Sequence, residues 1–294
     1  MTTAFPLADA RPGPPAHGAG APGQSGLLDV AVERIAGRTR ISELRSRAPL
    51  QALRPHYLDP ALPDMAFLTI ASPSGGVLQG DRLDLHVRLG EGARLHLDTQ
   101  GATRLYRSPA APAEASTMLT LGPGAYLEYL PDPYIPYAGS RFDVRMECRV
   151  AEDATLIFTE LLTAGREAHG ERHAFQSFRS RSLFCRPDGD LIAADALELS
   201  AGEKIAAAGR MGGYGVVGSL FVIHRGFGSA VLEAAAILIP ERVVAGTSSL
   251  PGDAGAWLRV LASSPAEAAG VLATAVAAAR LRILGALPPP TRRA

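Results

Sequence analysis

A strand–turn–strand pattern that recurs about every 30 residues is the feature that most constrains the fold. The segment LGEGARLHL (residues 89–97) is followed by LGPGAYLEY (121–129) and VAEDATLIF (150–158), at offsets of 32 and 29 residues. A looser fourth copy, CRPDGDL, occupies 185–191. Strand–turn–strand units at such a regular spacing are typical of stacked β-layers. The sequence therefore predicts a mainly β, β-helix-like stack of short strands, with an ordinary β-meander as the alternative.

Strands are also predicted outside the repeats, because apolar and polar residues alternate with a period of two. The alternation is clearest in 82–89 and 94–98, on either side of a glycine turn. Further strands are predicted at 118–121, 126–130, 142–150, 156–162, 175–184 and 219–224.

Only a few helices are predicted, one of them near the C-terminus. Residues 264–267 read SPAE, a capping box with proline at the first helical position, and predict a helix that extends to about residue 284. Its apolar residues are expected to pack against the sheet, and they are Val271, Leu272, Val276 and Leu281. Residues 44–53 are predicted to form a short helical or turn segment.

Composition divides the chain into three parts. Residues 1–25 are rich in Pro, Gly and Ala and predict a flexible leader, 26–287 a single β domain, and 288–294 an extended tail. The longest apolar helical run, 268–279, is shorter than the roughly 20 residues of a membrane span. A secretory signal pattern is not visible, so a cytoplasmic protein without membrane partners is expected.

Charge and residue usage exclude several function classes. Lys plus Arg and Asp plus Glu both number 29, which argues against a nucleic-acid binder. Lys204 is the only lysine, and its surroundings do not fit the phosphate-binding loop of nucleotide hydrolases. Cys148 and Cys185 form no CxxC motif, so a zinc knuckle is excluded and both are expected to be small apolar residues.

Two motifs resemble cofactor or metal sites but have the wrong context. Residues 213–218, GYGVVG, match GxGxxG, yet a strand pattern follows where a dinucleotide site needs a helix, so a glycine-rich turn is expected. His169 and His173 have the i, i+4 spacing of a helical metal pair, but Gly165 and Gly170 favour a solvated loop.

A hairpin closed by the turn at 90–92 would place His86 opposite His96, and Asp84 opposite Asp98. This arrangement predicts either weak metal contact or a solvated polar face of a sheet.

Four polar residues lie in apolar or glycine-rich surroundings: Asp81, Thr103, Glu160 and Asp195. Burying a carboxylate costs free energy unless it is paired, hydrated or bound to a cation. Each of these acids is either a satisfied structural group, such as a turn cap at Asp81, or part of a hydrated cation path.

In the order and spacing of its short motifs, the chain resembles the UreD (UreH) family of urease accessory proteins over about residues 27–287. The motifs that carry the resemblance lie at 72–83, 99–107, 127–131, 139–142, 165–171 and 213–220. The chain departs from the family pattern at Gln79, where a glycine is usual, and at its C-terminus, which lacks the usual aromatic residue.

The resemblance implies a non-enzymatic scaffold that docks on urease apoprotein and recruits UreF and the GTPase UreG. It also implies an internal tunnel that passes nickel in transit, without a tightly bound cofactor. The positions that match the proposed tunnel are Asp81, Thr103, Glu160 and Asp195, and Glu128 and Glu171 match other recurrent acids.

Two other functions remain open at this point. One is a purely structural assembly factor without a metal path. The other is a β-solenoid enzyme that acts on carbohydrate through paired carboxylates. Trp257 is the only tryptophan, which disfavours the aromatic platforms of a saccharide cleft.

Overall fold

The computed structural model describes residues 23–201, 205–207, 209–236 and 242–290. The predicted leader therefore lies outside the described residues up to residue 22, and the predicted tail lies outside them from residue 291.

The described residues form seventeen strands and two α-helices. The strands are β1 Ser25–Ile35, β2 Arg38–Arg47, β3 Gln51–Ala52, β4 Ala66–Ala71, β5 Arg82–Leu89, β6 Arg94–Thr99, β7 Thr103–Leu105, β8 Ala113–Leu121, β9 Tyr126–Leu130, β10 Tyr134–Pro136, β11 Arg141–Val150, β12 Thr155–Thr163, β13 Ser177–Cys185, β14 Leu191–Ser200, β15 Val216–Ile223, β16 Val244–Ser249 and β17 Gly255–Ala262. The helices are α1 Ala230–Ala236 and α2 Pro265–Leu284, and single turns of 3-10 helix lie at Glu167–His169 and Pro251–Asp253.

The strands form two sheets. The outer sheet has the order β14-β13-β11-β8-β5-β1-β2, and the central sheet has the order β16-β17-β15-β12-β9-β6-β4-β3, with β7 and β10 attached. The middle strands of both sheets run parallel, since the chain alternates between the sheets from β4 to β13. Antiparallel strands flank this parallel region, with β2 and β14 at the two edges of the outer sheet.

The predicted repeats form the corners where the chain passes from the outer to the central sheet. The backbone N–H of Gly122 donates to the carbonyl of Leu89 at 2.9 Å, and that of Ala151 donates to the carbonyl of Leu121 at 3.1 Å. Successive corners therefore stack on one another, and the predicted mainly β, β-solenoid-like fold is confirmed.

The fourth copy of the repeat was predicted wrongly as another stacked unit. Residues 185–191 join β13 to β14, which pair antiparallel within the outer sheet. The backbone N–H of Arg186 donates to the carbonyl of Asp190 at 2.8 Å and closes a tight hairpin. An Asp-Gly turn suits a hairpin as well as a corner, and here it reverses the chain and ends the winding.

Two apolar layers enclose the central sheet. Alternate residues of both sheets, such as Val87, Leu97 and Phe158, fill the space between the sheets. Residues of the opposite face of the central sheet, such as Leu258, pack against α2. The structure is thus three layers deep, with the outer sheet, the central sheet and the helices in that order.

Helix α2 has the predicted bounds and cap. The Ser264 hydroxyl accepts from the backbone N–H of Glu267 at 3.3 Å, and the Glu267 carboxylate accepts from the N–H of Ser264 at 3.0 Å. Val271, Leu272 and Val276 are buried as predicted. Neither helix of the described residues has the length and apolarity to cross a membrane.

The prediction for Leu281 was wrong, because its side chain is 50% exposed. The adjacent residue Arg280 is fully buried instead. Adjacent helical residues point about 100° apart, so burial of Arg280 turns Leu281 towards solvent.

Of the two alternatives for residues 44–53, the helical one is wrong, since the segment contains the end of β2 and the whole of β3 with a turn at 48–49 between them. Pairing with β1 and β4 overrides the local helical preference. The glycine-rich motif at 213–218 leads directly into β15, as its sequence context predicts.

We expect Gly255→Ala to lower the free energy of unfolding by about 3 kcal/mol or more. Gly255 has φ +146°, and an added Cβ would overlap the carbonyl oxygen of Val222 on the paired strand β15. Urea denaturation followed by circular dichroism measures the change. Gly270→Ala in α2 is the control, because its Cβ meets nothing within 4 Å and its expected effect is a slight gain. Equal stabilities of the two variants would contradict the prediction.

Candidate functional site

A polar layer interrupts the apolar space between the two sheets, and Glu160 is its most buried acid. Glu160 lies in β12 on the same face as Phe158 and Leu162, both of which point between the sheets. Its exposed fraction is 8%. The alternation of the strand thus forces a carboxylate into the interior, where it needs partners.

Serines from both sheets contribute to the polar layer, and one of them contacts Glu160. The Ser180 hydroxyl of β13 donates to Glu160 Oε1 at 2.6 Å. Ser219 of β15 is directly opposite Glu160 in the antiparallel register, and Ser182 lies two residues beyond Ser180 in β13. All three serines are buried, so the layer consists of oxygen groups contributed by both sheets.

The layer continues to the edge of the sandwich through Asp195 and Arg259. Arg259 of β17 is opposite Ser219, and Asp195 of β14 is opposite Ser182. Arg259 Nη2 donates to Asp195 Oδ1 at 2.6 Å and to Oδ2 at 2.8 Å. These two side chains are 22% and 19% exposed, so this end of the layer reaches solvent.

The environment of Glu160 brings its titration to physiological pH. Burial is the largest effect and raises the pKa of Glu160 to about 7, against a hydrogen bond from Ser180 that lowers it. The Asp195 carboxylate raises the pKa further and the Arg259 guanidinium lowers it. Near neutral pH the carboxyl group is therefore present in both charged and neutral forms.

The structure thus brings together two of the predicted site residues, Glu160 and Asp195. Thr103 is more distant: its strand β7 pairs with Tyr134 of β10, which in turn pairs with Leu162 of β12. Asp81 caps the turn before β5, where its carboxylate accepts the backbone N–H groups of Gln24 and Leu78 at 2.9 and 2.8 Å.

Glu171 lies in the loop after β12 and is held by an ion pair with Arg166. Arg166 Nε donates to Glu171 Oε2 at 2.8 Å, and the backbone N–H of Ala138 donates to the same oxygen at 3.1 Å. These contacts lower the pKa of the Glu171 carboxyl group, with the Arg166 hydrogen bond as the main cause. Glu171 fixes this loop and lies apart from the polar layer.

Glu128 belongs to a second buried group, on the helix side of the central sheet. It accepts hydrogen bonds from Tyr126 Oη at 2.7 Å and Arg280 Nη1 at 2.9 Å, and it lies 2.7 Å from His96 Nδ1. Arg280 also donates to Asp59. We call these five residues the helix–sheet ionic cluster, because the cluster joins α2 to the central sheet.

The cations and carboxylates of the helix–sheet ionic cluster balance each other's charge. Burial lowers the pKa of Arg280 to about 10, which leaves the side chain charged at neutral pH. Burial would also lower the pKa of His96, but interactions with Asp98 and Glu128 outweigh that effect and raise it to about 9. His96 is therefore a second cation that balances the buried carboxylates.

The predicted pairing of His86 with His96 was wrong. His86 lies in β5 of the outer sheet beside Asp29 and Met118, whereas His96 lies in β6 of the central sheet. The turn at 90–92 is a corner between sheets and not a hairpin, so the two strands never pair, and Asp84 does not face Asp98 either.

His169 and His173 lie in the loop that the glycines predict. Residues 167–169 form one 3-10 turn, and His173 has φ +52°. Within the described residues, no three His, Cys, Asp or Glu side chains are placed together to hold a metal ion. A cation in the polar layer would thus rely on two carboxylates together with hydroxyl oxygens.

Sequence reasoning missed the partners that complete both polar groups. Arg259 alternates with apolar residues in β17, and only the contact between the sheets pairs it with Asp195. Arg280 lies on the apolar side of α2. A charged residue at a helical position that should be buried was therefore a sign in the sequence that it has a buried partner. Asp59 lies in a loop and carried no signal of this kind.

These features define a β-solenoid-like protein with a polar layer in its interior. Comparison of the sequence then identifies the family. The model of the UreD urease accessory protein family matches residues 24–294. The chain belongs to the UreD family.

Curated relatives match almost the whole chain. Urease accessory protein UreD 2 of Streptomyces griseus is 39% identical over 279 residues, which are 93% of this chain and 95% of the relative. UreD of Cenarchaeum symbiosum is 34% identical over 280 residues, or 94% and 98% of the two chains. UreD 3 of Methylorubrum populi is 37% identical over 268 residues, or 89% and 86%.

We expect Arg280→Met to destabilise the protein by about 3–5 kcal/mol, because it leaves the buried carboxylate of Asp59 without a cation and that of Glu128 with His96 alone. Chemical denaturation measures the loss. Arg282→Met on the exposed side of the same helix is the control, with an expected change below about 0.5 kcal/mol. A loss at Arg280 no greater than at Arg282 would show that the ionic cluster does not hold the helix.

We expect His96 to make stability depend on pH. Its pKa is about 9 in the folded protein against an ordinary value of 6.5, so its stabilisation is complete below pH 6.5 and is lost as the pH rises through 9. The loss should be about 3 kcal/mol. Unfolding free energies between pH 6 and 10 measure it, and in His96→Gln this part of the pH dependence should disappear. An unchanged pH profile in that variant would refute the assignment.

Proposed function

We propose that the chain is a non-enzymatic scaffold of urease maturation in the cytoplasm. Membership of the UreD family supports this proposal, since its relatives are named as urease accessory proteins. The scaffold would dock on urease apoprotein and recruit UreF and the GTPase UreG. Nucleotide hydrolysis would then belong to the partner, in keeping with a chain whose only lysine, Lys204, lies outside any phosphate-binding motif.

We further propose that the polar layer conducts nickel towards the urease active site. The observation that carries this proposal is the burial of Glu160 among serine hydroxyls in a layer that reaches solvent at Asp195. A core that served packing alone would be better stabilised by apolar residues at these positions. Carboxylate and hydroxyl oxygens are ligands that exchange readily with water, as a cation in transit requires.

The protonation of Glu160 would control its part in conduction. A carboxyl group must lose its proton before it binds a cation, and the pKa of Glu160 is about 7. Nickel entering the layer would displace this proton, and the proton would return when the nickel leaves. The carboxyl group of Glu160 would thus be either protonated or bound to nickel, and it would not remain as an unpaired buried charge.

We expect Glu160→Gln and Asp195→Asn each to lower nickel-dependent urease activation several-fold without preventing assembly with urease, UreF and UreG. Each variant keeps the shape of the side chain but replaces a charged carboxylate ligand with a neutral amide, which binds a cation more weakly. Co-purification measures assembly, and urease activity after addition of nickel measures activation. Glu198→Gln is the matched control, because Glu198 lies in the same strand as Asp195 and pairs with Arg179 at 2.8 Å away from the layer.

A purely structural assembly factor is the second candidate, and the ion pair between Asp195 and Arg259 favours it. In that case the pair and Glu160 only join the two sheets. The same variants separate the candidates, since normal activation by both Glu160→Gln and Asp195→Asn would favour the structural role and refute the metal path.

A further inference from the structure

The ion pair at the solvent end of the polar layer has an unusual geometry. Arg259 contacts both oxygens of Asp195 through the single nitrogen Nη2, at 2.6 and 2.8 Å. The strongest arginine–carboxylate pairs use two nitrogens on two oxygens. Arg259 therefore holds the Asp195 carboxylate through one nitrogen, and not through the two nitrogens of the strongest pairs.

Arg259 also lies in the same cross-strand row as Glu160. In the central sheet, Glu160 of β12 is opposite Ser219 of β15, and Ser219 is opposite Arg259 of β17. The three residues form a row across neighbouring strands. The next strand, β16, places Gly246 opposite Arg259 and so adds no side chain to the row. A Cβ built on Gly246 meets nothing within 4 Å, so the row is open at this edge.

The guanidinium group has a second partner on its own strand. Trp257 lies two residues earlier in β17, and its ring centre is 5.2 Å from the Arg259 guanidinium carbon. An aromatic face attracts a cation at this distance. Arg259 can therefore lose its contact with Asp195 and still keep a favourable interaction.

From these contacts we infer that Arg259 is a gate, an internal cation that occupies Asp195 until an entering divalent cation displaces it. The inference rests on the proposed conduction path and adds its control element. A divalent cation carries twice the charge of the guanidinium group, so it competes for the same carboxylate. In the closed state the positive charge of Arg259 also repels cations from the row that leads to Glu160.

Nickel binding to the purified, untagged full chain tests the gate. We expect Arg259→Gln to bind nickel roughly tenfold more tightly than the wild type in calorimetric titration, because a competing positive charge is removed. Arg259→Lys keeps that charge and should bind as weakly as the wild type. Arg179→Gln is the matched control, since Arg179 also pairs with a carboxylate of β14, Glu198, but at a site that the row does not include.

A double variant shows whether the gain depends on Asp195. Arg259→Gln combined with Asp195→Asn should lose the tighter binding, whereas a gain that persists in the double variant would place the nickel elsewhere and overturn the gate. Unchanged affinity in Arg259→Gln, with a normal circular dichroism spectrum and melting temperature, would overturn it as well. If Arg259→Gln does not fold, Arg259→Lys serves as the test. Nickel binding by Arg259→Lys roughly tenfold tighter than by the wild type would contradict the gate, because this variant keeps the positive charge.

The gate and the conduction path can fail separately. Tighter binding in Arg259→Gln, together with normal urease activation by Glu160→Gln and Asp195→Asn, would keep Arg259 as a competitor for nickel at Asp195 but refute conduction. Loss of activation in those two variants, with unchanged nickel affinity in Arg259→Gln, would keep conduction and refute the gate.

Discussion

The stacking of one corner on the next, through backbone hydrogen bonds such as that from Gly122 to Leu89, is the constraint on which the rest of the structure depends. Each stacked corner returns the chain to the same pair of sheets, so the inward positions of successive strands fall in rows. Most rows are apolar and form the core. The row that contains Glu160 and Ser219 is polar, and the antiparallel strands β15 and β17 carry it from the last strand of the winding towards an edge.

The two buried polar groups differ in how completely their charges are matched. In the helix–sheet ionic cluster, the buried Arg280 and the 13% exposed His96 face the buried carboxylates of Asp59 and Glu128. Such an arrangement suits a fixed attachment between layers, since each charge needs the others. In the polar layer, Glu160 has a hydroxyl donor, and the cation Arg259 is hydrogen-bonded to Asp195, so the charge of Glu160 is less completely matched.

The fold and the candidate site could be predicted where the evidence lay in neighbouring residues of the sequence. They could not be predicted where they depend on contacts between distant segments. The stacked fold, the strand at 126–130 and the cap at Ser264 follow from spacing and residue type, and all three are confirmed. The turn at 90–92 misled, because a glycine turn has the same local sequence in a hairpin and in a corner between sheets. Glu160 stood out as an acid in an apolar run, but its hydrogen bond from Ser180 depends on how the outer sheet packs on the central sheet.

The antiparallel strands that flank the winding have a consequence for self-association. A parallel stack left open at its ends would present unpaired backbone groups to which another molecule can add a strand. Here β2 closes one edge of the outer sheet, and its sequence RTRISELRSR carries charged side chains along most of its length. At the other edge, the hairpin into β14 reverses the chain direction. The charged side chains of β2 thereby disfavour the addition of a strand from a second copy along that edge.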